Sequence, residues 1–171
     1  MPAIDLRPWD ETGLALLEAM NTPAQKLHLG GPESAAKLRE RHARYLTYHH
    51  PGDVEMLRIA ADGDIVGSIG YWQIERAGAP AYEAGWEILT AHHGRGFGGA
   101  AAALLMARLK PLARHAHVYA FPTPDNPGSN GICRRLGFAL LAVERLEYPA
   151  GVFAPHNVWR LDLSGFVPPP A

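Results

Sequence analysis

Cysteine, long apolar runs and an excess of either charge are all scarce in this chain. Cys133 is the single cysteine among 171 residues, which excludes an internal disulfide and fits a reducing compartment. Lys and Arg number 16 against 17 Asp and Glu, so the net charge of −1 does not favour nucleic acid as a partner. No run approaches membrane-spanning length, and the first ten residues have no apolar signal core. We therefore expect a cytoplasmic protein with no nucleic-acid or membrane partner.

The remaining composition is that of an ordinary globular domain. Apolar residues make up 47% of the chain and charged residues 19%, and the length is sufficient for a sizeable core. We expect one domain over residues 1–166. The Pro-rich tail, residues 167–171, is expected to be disordered.

Turn signals divide the chain into short elements. Asp62-Gly63 predicts a hairpin turn, Ser129 or Asn130 is a candidate cap for a short helix to Leu136, and the last strand is predicted over residues 157–163. The full order is one strand, two helices, three strands, a helix, a strand, a helix and two strands. This order predicts a mixed α/β (α+β) domain with a mostly antiparallel central sheet.

The stretch from Tyr82 to Leu109 is the most informative. It reads as an apolar strand, a turn with four glycines and a helix rich in Ala and Leu. The first N–H groups of a helix have no partner within it, and its dipole is positive there. Glycines remove the Cβ atoms that would keep an anion away. The turn is therefore predicted to hold a pyrophosphate on the backbone of residues 95–99.

Two other readings of this stretch are weaker. Gly94-x-Gly96-x-x-Gly99 also spells a dinucleotide fingerprint, which would suit a nicotinamide-dependent oxidoreductase. That fingerprint expects an acidic residue about 20 positions on, and none stands near residues 119–121. His92-His93 suggests a metal, but no third ligand stands at a useful spacing, so we expect no metal site.

The residues from 93 to 98, HGRGFG, resemble the acyl-CoA pyrophosphate turn of the GCN5-related N-acetyltransferases, the GNAT superfamily. The family pattern is Gln or Arg, two residues, Gly, one residue, then Gly or Ala. The glycines match, while His93 replaces the Gln or Arg. The resemblance covers nearly the whole chain, from LRPW at residue 6 to WRLDL at residue 159.

A second family segment lies downstream. Asn126, Ser129, Gly137 and Phe138 match its spacing, and Cys133 stands where the family has a Tyr. The Glu-x-Gly-Trp segment at residues 83–86 is similar to the branch that acetylates ribosomal-protein N-termini.

The resemblance implies a GNAT-like sheet with helices on both faces, and an N-acetyltransferase that uses acetyl-CoA as co-substrate. Transfer to a primary amine would be direct, in a ternary complex, with no acyl-enzyme. The acceptor would be a small molecule, a lysine or a protein N-terminus. The implied donor-binding residues are Ile88, Leu89, Thr90, His93, Gly94, Arg95, Gly96, Phe97, Gly98, Gly99, Asn126, Ser129 and Cys133.

Two carboxylates are candidate catalytic residues. Glu83 stands where the family often has its general base, and burial on a central strand would favour its neutral form. Glu87 lies on the same strand face by alternation and is the second candidate. The acceptor wall is expected from residues 27–31, the second helix and the loop near Gly151. A non-catalytic acyl-CoA-sensing domain stays open as an alternative, as does a homodimer.

Overall fold

A computed structural model describes residues 3–169 and shows one sheet with helices on both faces. The strands are β1 (Ile4–Pro8), β2 (His49–His50), β3 (Val54–Ala61), β4 (Asp64–Arg76), β5 (Ala79–Ile88), β6 (His117–Ala120), β7 (Ala139–Glu147) and β8 (Phe153–Asp162). The helices are α1 (Gly13–Ala19), α2 (Ala35–Tyr45), α3 (Phe97–Leu109) and α4 (Pro127–Arg135). Of the predicted tail, residues 167–169 have no regular secondary structure, and residues 170–171 lie outside the described residues.

The sheet is mostly antiparallel, as predicted. Its strand order is β1-β3-β4-β5-β6-β8-β7, with the short β2 paired to β3. The pairing of β5 with β6 is parallel and covers only two residue pairs, Tyr82 with Val118 and Glu83 with Tyr119. On its other side β5 stays paired to β4 as far as Ile88. The two central strands therefore separate beyond Glu83 and leave a wedge between them.

The two faces of the sheet carry separate apolar clusters. On one face Tyr82, Ala84 and Trp86 of β5 pack with the inner side of α3. On the other face Trp72 of β4 packs with α1 and α2. Because side chains alternate along a strand, Glu83 and its neighbours at 85 and 87 point to the α1–α2 face.

Local signals fixed several elements correctly. Asp62 and Gly63 have φ values of +52° and +97°, the geometry of the predicted tight hairpin turn. Gly137 follows α4 with φ +80°, as expected for a glycine just past a helix end.

Two boundaries differ from the prediction. Helix α4 begins earlier, because Asn126 caps it by accepting the Ser129 N–H at 3.0 Å; Ser129 and Asn130 lie inside the helix. Strand β8 begins at Phe153 despite Pro155. The Asn157 N–H donates to the Pro122 carbonyl on the β6 side. Pro155 faces the same side, beyond the end of β6, so its missing N–H breaks no ladder there.

Within residues 3–169, none of the helices is both long and apolar enough to cross a membrane.

Candidate active site

A cleft of about 1630 Å³ enters the wedge between β5 and β6 and reaches both faces of the sheet. This volume exceeds the roughly 300–1,000 Å³ of an ordinary ligand pocket, so it can hold two substrates. On one side the start of α3 and the start of α4 border it. On the other side Glu83, Trp72 and the α1–α2 connection do so. The wedge thus joins a site at a helix N-terminus to a site on the opposite face.

The glycine-rich turn has the predicted strand-turn-helix context. Gly94 and Gly96 have φ values of +75° and +81°, a left-handed conformation that favours glycine. Helix α3 begins at Phe97, and its first intrahelical bond runs from the Ala100 N–H to the Gly96 carbonyl. The N–H groups of residues 97–99 precede that bond, so they have no partner within the helix. Together with the helix dipole they form an anion site that borders the cleft.

Gly98 and Gly99 differ in what surrounds them. A Cβ on Gly98 would lie 3.0 Å from Ile132 Cδ1, so this glycine lets α4 pack closely against α3. A Cβ on Gly99 would lie 3.6 Å from Arg135 Nη2. The guanidinium of Arg135 therefore stands beside the start of α3 and borders the cleft. Sequence reasoning missed Arg135, because a basic residue in the last turn of α4 has an ordinary explanation in the helix dipole.

The two residues before and within the turn are held locally. His93 Nε2 lies 2.7 Å from the Ile88 carbonyl, and since a carbonyl only accepts, this nitrogen carries the hydrogen. Arg95 lies over the Phe97 ring at 4.6 Å and 3.2 Å from His92 Nδ1. Arg95 does not line the cleft, whereas His93 does.

The backbone of residues 88–90, which the resemblance implies is part of the donor-binding site, forms hydrogen bonds with the Gln25 side chain. Its Nε2 donates to the Ile88 carbonyl at 2.6 Å, and its Oε1 accepts from the Thr90 N–H at 2.9 Å. Leu89 donates to the Val66 carbonyl on β4. Alternation then points the N–H and C=O groups of Ile88 and Trp86 away from β4, into the wedge. Gln25 carried no recognisable motif.

Glu83 stands at the mouth of the wedge with a perturbed carboxyl group. Burial raises its pKa to about 7, and the Trp72 indole N–H, 3.2 Å away, lowers it by a smaller amount. Gly85 makes room for this arrangement, because a Cβ there would lie 3.0 Å from the Trp72 ring. A carboxyl with a pKa near neutral has both protonation states available at physiological pH.

Glu87, the second candidate, has a different environment. Both of its carboxylate oxygens accept from Lys26 Nζ at 2.8 Å. The side chain of Lys26 is 5% exposed and that of Glu87 is 18% exposed. Glu87 thus forms a largely buried ion pair that links β5 to the α1–α2 connection. Lys26 was not predicted, because its partner lies 61 positions away in sequence.

The predicted residues on α4 do not all reach the cleft. Asn126 and Ser129 border it at the start of the helix. Cys133 is fully buried in the core against α3, and burial raises the pKa of its thiol to about 12. Of the predicted site residues, those that line the cleft are Glu83, Glu87, Ile88, His93, Gly94, Gly96, Phe97, Gly98, Gly99, Asn126 and Ser129; those that do not are Leu89, Thr90, Arg95 and Cys133.

The segments expected to wall the acceptor side do meet at the cleft. The α1–α2 connection contributes His28 and Leu29, helix α2 contributes Arg41 and Tyr45, and Tyr148 comes from the loop after β7. Among residues 3–169 no group of three or more His, Cys, Asp or Glu side chains is placed to hold a metal.

Residues 4–139 match the acetyltransferase (GNAT) domain model, which favours the acetyl-transfer interpretation of the glycine turn over the dinucleotide one. No curated protein matches the chain in sequence at a significant level.

Solved structures share the fold. An acetyltransferase from Salmonella typhimurium that modifies the N-terminal serine of ribosomal protein L7/L12 is 21% identical, with a TM-score of 0.77 over 93% of this chain and 94% of that one. RimL, a ribosomal L7/L12 alpha-N-protein acetyltransferase in complex with coenzyme A, is 20% identical, with a TM-score of 0.76 over 93% of each chain. An aminoglycoside acetyltransferase in complex with coenzyme A is 17% identical, with a TM-score of 0.72 over 94% and 95%. At these identities the likeness establishes the fold.

Proposed function

The chain belongs to the acetyltransferase (GNAT) family, whose members transfer an acetyl group from acetyl-CoA to an amine, and on that basis we propose that Glu83 is the general base of a direct transfer. The observation that carries the proposal is the half-buried carboxyl group of Glu83 at the mouth of the wedge, 3.2 Å from the Trp72 indole N–H, where burial raises its pKa to about 7.

The donor's pyrophosphate binds at the start of α3. Support comes from the N–H groups of residues 97–99 and from the left-handed glycines that expose them. Arg135 adds a positive charge beside Gly99. A charged hydrogen bond of this kind is worth about 1.5–3 kcal/mol. The same groups bind CoA and acetyl-CoA equally, because both carry the pyrophosphate.

The pantetheine arm of acetyl-CoA, called the donor arm below, lies along the open edge of β5. The backbone groups of Trp86 and Ile88 point into the wedge and can pair with the amides of the arm as an added strand would. The Ile88 carbonyl already accepts from Gln25 and His93, so the arm either uses Trp86 or displaces these side chains. A backbone N–H at this edge also stabilises the oxyanion that develops on the thioester.

Glu83 removes the proton of the attacking amine through a water molecule. The amine nitrogen forms a bond to the thioester carbon, the carbon–sulfur bond breaks, and the sulfur leaves with the electron pair as CoA thiolate. The amine proton passes to Glu83. Glu87 has a structural role, because both of its carboxylate oxygens are engaged by Lys26 Nζ.

The leaving thiolate takes its proton from water. Cys133 replaces the family Tyr, but it is fully buried and does not line the cleft. A thiol with a pKa of about 12 is also a weaker acid than the CoA thiol that its proton would form.

Thiol release tests this function. The protein is incubated with acetyl-CoA and, one at a time, a peptide with a free N-terminus, an N-blocked peptide that contains lysine, an aminoglycoside and spermidine. We expect CoA release that depends on one class of amine, with the acetylated product seen by mass spectrometry. Saturable acetyl-CoA binding without release for any amine would instead establish the sensing domain.

A further inference from the structure

His156 on β8 is a buried polar side chain with one ring nitrogen unpaired. The residue is 4% exposed, and its Nδ1 lies 2.7 Å from the Phe121 carbonyl. Since a carbonyl oxygen only accepts, Nδ1 carries the hydrogen. The other nitrogen, Nε2, is buried and has no hydrogen-bond partner among residues 3–169. In the tautomer with its hydrogen on Nδ1, Nε2 is an acceptor without a partner among residues 3–169.

An unpaired buried nitrogen is costly. Folding strips it of water without returning a hydrogen bond, so a native protein rarely keeps one without a use. The bond at Nδ1 accounts for the attachment of β8 to the end of β6. It does not account for a ring with a second nitrogen, because an asparagine amide would make that bond as well.

His156 lies on the same face of the sheet as Glu83. Glu83 pairs laterally with Tyr119 on β6, and Tyr119 pairs with Arg160 on β8. Laterally paired residues share a face, and His156 is four positions from Arg160 along the strand. Both Glu83 and His156 line the cleft. His156 and Glu83 therefore lie on the same side of the cleft, the side proposed for the acceptor.

The charged neighbours of His156 are already engaged with each other. Glu144 stands opposite His156 in the pairing of β7 with β8, and its carboxylate forms an ion pair with Arg76. The Arg76 guanidinium also lies over the Phe121 ring at 5.5 Å. Neither group hydrogen-bonds Nε2, so the hydrogen-bonding capacity of this nitrogen is unused among residues 3–169.

We propose that His156 positions the amine substrate by accepting, at Nε2, a hydrogen bond from a second N–H or O–H group of that substrate. The inference rests on the proposed function, because it places the reacting amine beside Glu83. It adds a requirement to the acceptor: besides the reacting nitrogen, it carries a second hydrogen-bond donor within reach of His156.

Two substitutions separate the two ring nitrogens. His156→Asn keeps an N–H near Nδ1 for the Phe121 carbonyl and removes the group at Nε2. His156→Gln places its amide near Nε2 and loses the Nδ1 bond. If His156 has a purely structural role, His156→Asn should perturb the protein less than His156→Gln. If His156 contacts the substrate, His156→Gln should change the substrate selectivity less than His156→Asn.

The probes are matched amines of equal length: ethanolamine and propylamine, 3-amino-1-propanol and butylamine, 4-amino-1-butanol and pentylamine. Each pair differs only by a hydroxyl in place of a methyl group. At one chain length we expect the wild type to prefer the amino alcohol by about tenfold in kcat/KM, mainly through KM. His156→Asn loses this preference while its Tm and its KM for acetyl-CoA stay near the wild-type values. His156→Gln keeps part of the preference.

The outcomes are distinguishable. Wild-type activity with no hydroxyl preference at any length, or the same preference in His156→Asn, overturns the inference and leaves the proposed function standing. Absence of turnover for every amine in this series and in the acceptor panel overturns both. If His156→Gln loses the preference for the amino alcohol while His156→Asn retains it, His156 has a structural role only.

Discussion

Glu83 and Glu87 are two carboxylates on one strand face that differ in what lies beside them. Glu83 is half-buried, the Trp72 indole N–H is its one hydrogen-bond partner among residues 3–169, and burial raises its pKa to about 7. Both carboxylate oxygens of Glu87 accept hydrogen bonds from Lys26 Nζ. Sequence alternation placed them together, but only their neighbours decide that Glu83 is suited to be a base.

Glu83→Gln should slow the chemical step by about 100-fold or more, the usual contribution of a general base. Acetyl-CoA affinity should stay unchanged. In the wild type, kcat/KM should rise with pH through about 7, because the base form of Glu83 is present above its pKa. A pH–rate profile of both proteins checks this, and the Gln variant should lack that limb.

Glu75→Gln is the matched control, since Glu75 borders the cleft and is exposed. Its profile should follow the wild type.

Stability gives a second readout of Glu83. The Glu83 carboxyl group loses its proton near pH 4.5 in the unfolded chain and near pH 7 in the folded chain. The free energy of unfolding of the wild type should therefore decrease as the pH rises from 4.5 to 7. Glu83→Gln lacks this decrease, so its stability relative to the wild type should increase over the same pH range. A limb that persists in Glu83→Gln and is absent in Glu87→Gln would identify the other carboxylate.

At the scale of elements, helices α3 and α4 build the proposed anion site together. The N-terminus of α3 supplies backbone donors, and α4 brings Arg135 to it. The close approach depends on Gly98, where a Cβ would meet Ile132 at 3.0 Å. Substitutions at Gly98 therefore disturb packing as well as ligand binding, and Arg135 is the cleaner probe of the site.

Arg135→Ala should weaken the binding of CoA and of acetyl-CoA equally, by about tenfold, because it removes one charged contact to the shared pyrophosphate. The loss should shrink at high salt. Calorimetry at two salt concentrations measures both effects.

Arg134→Ala makes the same change in net charge one residue earlier on α4, at a side chain that does not line the cleft. It should leave the affinity near the wild-type value. Equal losses in the two variants would show that only net charge matters, which would remove Arg135 from the site.

At the scale of the whole molecule, the connection between α1 and α2 is fastened to β5 beside both substrate sites. Lys26 reaches Glu87, and Gln25 bridges the Ile88 carbonyl and the Thr90 N–H. The partners in the first two contacts are 61 and 63 positions apart in sequence. The α1–α2 connection, which we propose to wall the acceptor site, is thus joined by side-chain contacts to the edge of β5 proposed to bind the donor.

Lys26→Met and Glu87→Gln should each destabilise the fold by about 3–5 kcal/mol, because each leaves an uncompensated charge in a buried place. The double variant should lose much less than the sum. Urea unfolding of the four proteins in a double-mutant cycle gives the coupling.

Arg7→Met serves as the comparison, because its pair with Asp5 is exposed at 42% and 66%. It should cost at most about 1 kcal/mol. Additive losses for Lys26 and Glu87, or losses as small as that of Arg7, would contradict a structural role for the pair.

What the sequence determined by itself is local. The strand, glycine turn and helix of residues 82–109, the Asp62-Gly63 hairpin and the glycine that ends α4 all follow from hydrogen bonds and dihedral preferences within a few residues. The family motifs lie in these same segments, and the order of elements was predicted apart from the two-residue strand β2.

The tertiary structure decided the surroundings of the side chains that we propose to carry the chemistry. The pKa of Glu83, the pairing of Glu87 with Lys26, the place of Arg135 beside Gly99 and the unpaired nitrogen of His156 depend on residues from distant parts of the chain. It also placed Cys133 in the core and away from the cleft, which spacing alone did not reveal. Burial and charge pairing are properties of the packed molecule, because solvent exclusion and close contact arise only after long-range elements meet.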